Sequence, residues 1–144
     1  MRLLLFGGPD HLSVPAEIGA LALRVGAGLG LALGHGINKM PPSDGFITGV
    51  GEMGFPLPTL FAWMAGLAEF AGGLLVVLGL LTRPAALFAT CTMATAFFIR
   101  HANDPFGDKE LAMLYGLVML MFCFAGAGRF SIDRMLRPGG QRAL

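Results

Sequence analysis

The stretch Thr59–Leu81, TLFAWMAGLAEFAGGLLVVLGLL, is 23 residues of almost unbroken apolarity with one carboxylate, Glu69, near its middle. At about 1.5 Å per residue, a helix of this length crosses a hydrocarbon core of roughly 30 Å. A lone acid at that depth costs about 2.5–3.5 kcal/mol on insertion scales, so it faces protein and takes a partner. Which residue partners Glu69 is the question the rest of the chain has to answer.

The whole chain has the same character. Of its 144 residues 55% are hydrophobic and only 13% charged, and the mean hydropathy is +0.70. An ordinary soluble domain carries roughly twice that charged fraction, so the composition reads as a polytopic membrane protein in contact with the lipid bilayer. A net charge of +1 argues against nucleic acid as a partner, because no basic face or run exists to neutralise phosphates. The two cysteines, Cys91 and Cys123, sit inside apolar stretches and form no CxxC pair, which argues against a disulfide or zinc framework. The N-terminal MRLLLFGGPDH is too short for a signal-peptide core, so the first helix is expected to act as its own targeting signal.

Four helices are expected, at about 15–37, 59–81, 84–101 and 108–127, forming a single domain over 1–144. In the first, Pro15 and Glu17 suit the opening turn. Ala22, Gly26, Gly30 and Gly34 recur every four residues as a small-residue ridge for close helix approach. Arg24, Gly28, His35 and, slightly rotated, Lys39 fall on another face. The segment 38–58 reads as a loop broken by Pro and Gly, with Phe46–Val50 as a short interfacial piece. The second helix sets Ala62, Ala65, Gly66, Glu69, Gly72 and Gly73 on one small-residue face, so the acid lies in a tight seam. A very short link at Leu81-Thr82-Arg83-Pro84 makes the second and third helices an antiparallel hairpin.

The expected fold class is therefore all-α, an antiparallel up-down four-helix bundle in the membrane. Arg2, Arg83, Arg129, Arg134, Arg137 and Arg142 fall on one side, against Lys39, Arg100 and Lys109 on the other. The positive-inside rule then puts both termini in the cytoplasm.

Among polar groups, Arg24 and Glu69 lie at similar heights in their helices and have long side chains, so they are expected to pair. The pair reads either as an ion pair fixing one helix against the other or as a site where Glu69 accepts a proton or anchors a ligand. His35, Lys39, His101 and Glu110 are expected to gather at the outer mouth. They read as interfacial caps or as a site for a polar head group such as a quinone ring; a metal or haem site is disfavoured because no ligand pair has local spacing. Cys91 and Cys123, in the cytoplasmic halves of adjacent helices, are expected to be close to each other and inert, as apolar burial suppresses the thiolate.

Taken together, the residues resemble the DoxX family of small bacterial membrane proteins. The resemblance rests on Arg24, His35-Gly36, Lys39, Gly54-Phe55-Pro56, Pro58, Glu69-x-x-Gly72-Gly73, Gly79 and Thr82-Arg83. It continues through His101, Glu110 and Gly126-x-Gly128-Arg129-x-Ser131-x-Asp133, and so covers nearly the whole chain in order. It implies a four-helix, multi-pass fold in the bacterial inner membrane. It also implies an oxidoreductase label, borne by the family because members resemble a subunit linked to quinone reduction by thiosulfate.

The chain has no haem-attachment CxxCH and no cysteine cluster, so any electrons need a bound quinone or a partner subunit. The first expectation is a quinone- or amphiphile-engaging subunit of a membrane redox system. In it Glu69 and Arg24 form the buried floor, and His35, Lys39, His101 and Glu110 line the entrance. The second is a non-catalytic accessory subunit packed through its glycine ridge against a larger membrane complex. A solute transporter is disfavoured, since four helices carry no inverted repeat.

Overall fold

The computed structural model describes residues 13–136, and every element among them is helical. Helix α1 (Val14–Leu29) continues without a break into a π-wound segment, Gly30–Gly36, and a 3-10 turn, Ile37–Lys39. A short helix α2 (Asp44–Glu52) comes next, its N-terminus capped by the Ser43 hydroxyl, which accepts from the Phe46 amide at 3.3 Å. Helix α3 spans Pro58–Leu78, α4 Thr82–Thr95 with a π-wound extension Ala96–Arg100, α5 Phe106–Ala125, and α6 Ile132–Met135.

Helices α1, α3, α4 and α5 overlap the expected segments with shifted ends, and the 38–58 segment contains a nine-residue helix rather than loop alone. Two stretches, Val14–Lys39 and Pro58–Leu78, are long and apolar enough to cross a membrane. Helix α5 begins with Asp108, Lys109 and Glu110 in its opening turns, so its apolar run proper is shorter. Arg2, Arg137 and Arg142, three of the arginines that orient the chain, and the N-terminal MRLLLFGGPDH lie outside the described residues.

Helix α3 is the central element. The α1 face packs along it, α4 doubles back on it, and α5 packs on α4. The reversal between α3 and α4 takes three residues. Gly79 adopts a left-handed conformation (φ 65°), the Leu80 amide donates to the Leu75 carbonyl and the Gly79 amide to that of Val76, a Schellman ending that satisfies the last carbonyls of α3. The core joins Leu31 and Val76 to Ala85, Ala86, Ala89 and Met93 of α4 and to Met119 and Phe122 of α5. Meanwhile Leu33, Leu60, Leu67, Phe88, Leu117 and Phe124 are exposed. So much large apolar side chain on the outside is costly in water and costs nothing in lipid.

The seam between α1 and α3 is not the expected Ala22–Gly26–Gly30–Gly34 ridge but a parallel row with the same four-residue spacing. Ala22, Gly26 and Gly34 are exposed, and a Cβ at Gly26 or Gly34 would meet nothing within 4 Å. The close approach is made by Gly28, Ala32 and Gly36 instead. A Cβ on Gly28 would lie 2.8 Å from the Gly73 carbonyl oxygen, one on Gly73 would lie 2.8 Å from that of Gly28, and one on Gly36 would run into the backbone of Phe70. Of the expected ridge only Gly30 makes a tight contact, with the Tyr115 hydroxyl. The α3 side agrees with the sequence: Ala62, Gly66, Glu69, Gly72 and Gly73 are buried.

The two kinds of glycine should respond oppositely to alanine. Gly28→Ala forces backbone apart along the seam and should cost about 1–3 kcal/mol, the usual range for overpacking. Gly26→Ala, with open space at its Cβ, should gain up to about 1 kcal/mol from helix propensity. Thermal unfolding in mild detergent should move the midpoint down for the first and up for the second.

Candidate functional site

One end of the helix layer is hollow. A cavity of about 490 Å³ lies between α2, the first half of α3, and the second half of α4 with its π-wound extension, a volume in the range of small-ligand sites. Its walls are mostly apolar: Phe46, Val50 and Met53 from α2, Phe61 and Met64 from α3, Phe88 and Cys91 from α4, and Phe55. Lys39, Glu69, Arg100 and His101 are the ionisable side chains besides Cys91 that line it.

Glu69 is fully buried, and its partner is Lys39. The Lys39 ammonium donates to both carboxylate oxygens, at 2.5 and 2.7 Å, and keeps about a third of its side chain exposed. It also lies 5.7 Å from the centre of the Phe46 ring, a cation–π distance. Geometry explains the choice of partner. A π-wound turn takes about one residue more than an α-turn, which amounts to roughly 100° of extra rotation. The segment Gly30–Gly36 therefore re-aims the residues after it, and the 3-10 turn delivers Lys39 onto α3.

Arg24 does not pair with Glu69, contrary to the expectation from helix heights. It is buried at the opposite end of the molecule, where its guanidinium donates to the carbonyls of Ala127 and, at 2.6 Å, Phe130. Two carboxylates complete a clamp there. Glu17 accepts from the Arg129 amide at 2.8 Å. Asp133 accepts from the amides of Leu81 and Thr82, at 2.8 and 3.0 Å, capping the start of α4, and its own amide donates to the Gly79 carbonyl. The tail after α5 is thereby folded back onto the α3–α4 turn. Sequence reading missed Glu17 and Asp133 as ligands of backbone amides. The signal was present in the Gly126-x-Gly128-Arg129-x-Ser131-x-Asp133 run, whose glycines at φ 77° turn bare carbonyls and amides inward.

The remaining candidates separate. His101 lines the cavity and its Nδ1 is 2.7 Å from Asp104 Oδ2. His35 packs edge-on against Tyr115, with ring centres 5.6 Å apart, and is not part of the cavity wall. Glu110 is exposed near the start of α5. The expected outer cluster of His35, Lys39, His101 and Glu110 is therefore halved: Lys39 and His101 share the cavity, and Arg100 joins them. Among the described residues no three His, Cys, Asp or Glu side chains converge as metal ligands. Cys91 is exposed and lines the cavity, whereas Cys123 packs on the core cluster, so the two belong to different surroundings. Gly49-Val50-Gly51-Glu52-Met53-Gly54 has the spacing G-x-G-x-x-G, but it forms the end of α2 with no strand before it. A dinucleotide-binding turn needs a strand leading into a helix.

Comparison with known proteins agrees with the sequence pattern. A family model described as DoxX matches residues 19–102. The chain is 38% identical over 92 residues to a Haemophilus influenzae protein, covering 59% of this chain and 66% of that one. It is 38% identical over 96 residues to inner membrane protein YqjF of Escherichia coli K12, covering 63% and 69%. To the Bacillus subtilis protein named "Putative oxidoreductase CatD" it is 31% identical over 124 residues, covering 85% and 90%. No solved structure matches.

Breaking the buried pair on one side only should be the costlier change. Lys39→Met leaves the Glu69 carboxylate alone; because Lys39 is partly exposed, the loss should sit at the low end of the about 3–5 kcal/mol typical of such breaks. The double change Lys39→Met with Glu69→Leu should recover most of it. Asp133→Ala, which removes a helix cap, should cost about 1 kcal/mol. Unfolding midpoints of these three variants and the unmodified protein, measured side by side, test this order.

Proposed function

The chain belongs to the DoxX family of membrane proteins, and from that premise we propose that its cavity engages a membrane-dissolved amphiphile such as quinone. In this reading the protein is a multi-pass subunit of a redox system in the bacterial inner membrane. Its four long helices α1, α3, α4 and α5 run alternately up and down, with both termini in the cytoplasm. The inner-membrane placement draws on the E. coli relatives named for that membrane, YqjF and YphA. The redox setting draws on the name of the B. subtilis relative.

One observation carries the reading: a fully buried carboxylate, paired with a single lysine, lines a mostly apolar cavity whose other charged or titratable groups include Arg100 and His101. A pair that served only to hold helices together would not need a hollow beside it. An amphiphile's ring fits among Phe46, Phe55, Phe61 and Phe88, and its carbonyl oxygens are of the kind that an ammonium donates to. Lys39, held by Glu69 on one side, would donate a hydrogen bond to the head group on the other. Glu69 would take up or return a proton as the head group changes charge, and His101 lines the same cavity. Arg24 has no part in this chemistry; its role is the clamp. Electrons would come from a partner subunit.

A second reading, an accessory subunit of a larger membrane complex, is favoured by the outward-facing Ala22, Gly26 and Gly34, which offer another helix a smooth surface. The two are separated by purifying the protein from native membranes in mild detergent and assaying its solvent extract for quinone against bulk lipid. Near-stoichiometric quinone, lost in Glu69→Gln with the fold intact, is the expected result. Quinone no richer than in bulk lipid, with partner proteins lost in Gly26→Leu, would replace the first reading with the second.

A further inference from the structure

The cavity has a side door. Met64 of α3 and Phe88 and Cys91 of α4 line it and are exposed, Met64 by 43% and Phe88 by 55%, and their helix neighbours Leu60, Trp63, Leu67 and Leu87 are exposed without lining it. A residue that faces a cavity and the exterior at once marks the rim of an opening. This rim carries no charged side chain. On another side α2 closes the cavity with Phe46 and the buried Val50, and the charged side chains Lys39 and Arg100 line it from the 3-10 turn and the π-wound extension.

The depth of the opening decides what it can admit. Counted from the α3–α4 turn, Phe88 lies about 9 Å, Cys91 about 14 Å and Met64 about 21 Å along the helices. With α3 spanning a hydrocarbon core of roughly 30 Å, the rim opens into acyl chains and not into water. We infer that the cavity is loaded sideways from the bilayer through a slot between α3 and α4, and that the ligand is a chain-bearing amphiphile whose tail stays in the slot. This rests on the reading of the cavity as a ligand site and adds to it the route and the tail. The head enters toward Lys39, Arg100 and His101, and the chain passes Met64, Phe88 and Cys91 into lipid. A water-soluble ligand would find no polar rim on that side to enter by.

Cys91 allows the slot to be read directly. The protein carrying Cys123→Ala is placed in lipid nanodiscs and irradiated with a bilayer-soluble aryl diazirine or with a sulfonated, charged one, whose carbenes insert into a thiol without needing its thiolate, and labelling at residue 91 is read by peptide mapping. A benzoquinone bearing a ten-carbon tail serves as the ligand probe. The uncharged reagent should label Cys91, the charged one should not, and the quinone should lower labelling roughly tenfold. Cys91→Trp, which narrows the slot, should slow uptake and release of the quinone by a similar factor, roughly tenfold, while its Kd changes far less.

Labelling by the charged reagent alone would overturn the proposal, since the opening would then face water. So would the absence of labelling by either reagent, or a Cys91→Trp protein with weaker affinity and unchanged exchange rates. Labelling by the uncharged reagent that the quinone leaves unaffected would support the slot and overturn quinone as the ligand.

Discussion

A carboxylate without solvent exposure, midway along a helix of hydrocarbon length, has to be neutralised from within the protein, and the fold is arranged to do it. Lys39 reaches Glu69 only because the end of the first helical stretch lies directly on α3. That contact requires bare backbone at Gly28 and Gly36 on one side and Gly73 on the other. In water the apolar effect would supply the adhesion. In lipid it cannot, so close backbone packing and the buried pair must supply it. The glycine seam and the ion pair are therefore one device: the seam brings the lysine within reach, and the pair makes separation of the helices expensive.

The charges divide between the two ends of the layer. At one end Arg24, Glu17 and Asp133 are all committed to backbone groups, tying the tail to the α3–α4 turn and to α1. Each meets a carbonyl or amide that would otherwise be left bare near a chain reversal, where unsatisfied groups are costly. At the other end Lys39 and Glu69 are committed to each other, with Arg100 and His101 nearby, and the space they border is hollow. The clamp end is built for order. The hollow end is where chemistry has room.

Much of this was legible in the sequence. The length and apolarity of 59–81, the burial of Glu69, the small-residue face of α3 and the short reversal after it come from composition and the 3.6-residue period. So did the family, through residues scattered over most of the chain. The partner of Glu69 was not legible, and the reason is local. Two small-residue rows of the same four-residue spacing, Gly26–Gly30–Gly34 and Gly28–Ala32–Gly36, run along the first helical stretch, and spacing alone does not say which meets α3; the π-wound turn then re-aims Lys39, beyond it, onto Glu69. The clamp was hidden differently. Its partners are backbone carbonyls and amides, which have no letter in a sequence, and those that Arg24 meets lie far from it along the chain, in the turn after α5.

The irregular backbone is distributed unevenly, and this bears on the site. Both π-wound segments, Gly30–Gly36 and Ala96–Arg100, and the short helix α2 lie at the hollow end, while the clamp end is closed by regular caps and turns. A π-wound turn gives up regular hydrogen bonding, and such turns persist chiefly where they place a side chain that a regular helix would misplace. The first places Lys39 on Glu69. The second carries the chain from Ala96 to Arg100 and His101, all three on the cavity wall. A bundle selected only for helix packing would have no use for either distortion. Their convergence on one cavity is the strongest reason to regard the pair inside it as more than a strut.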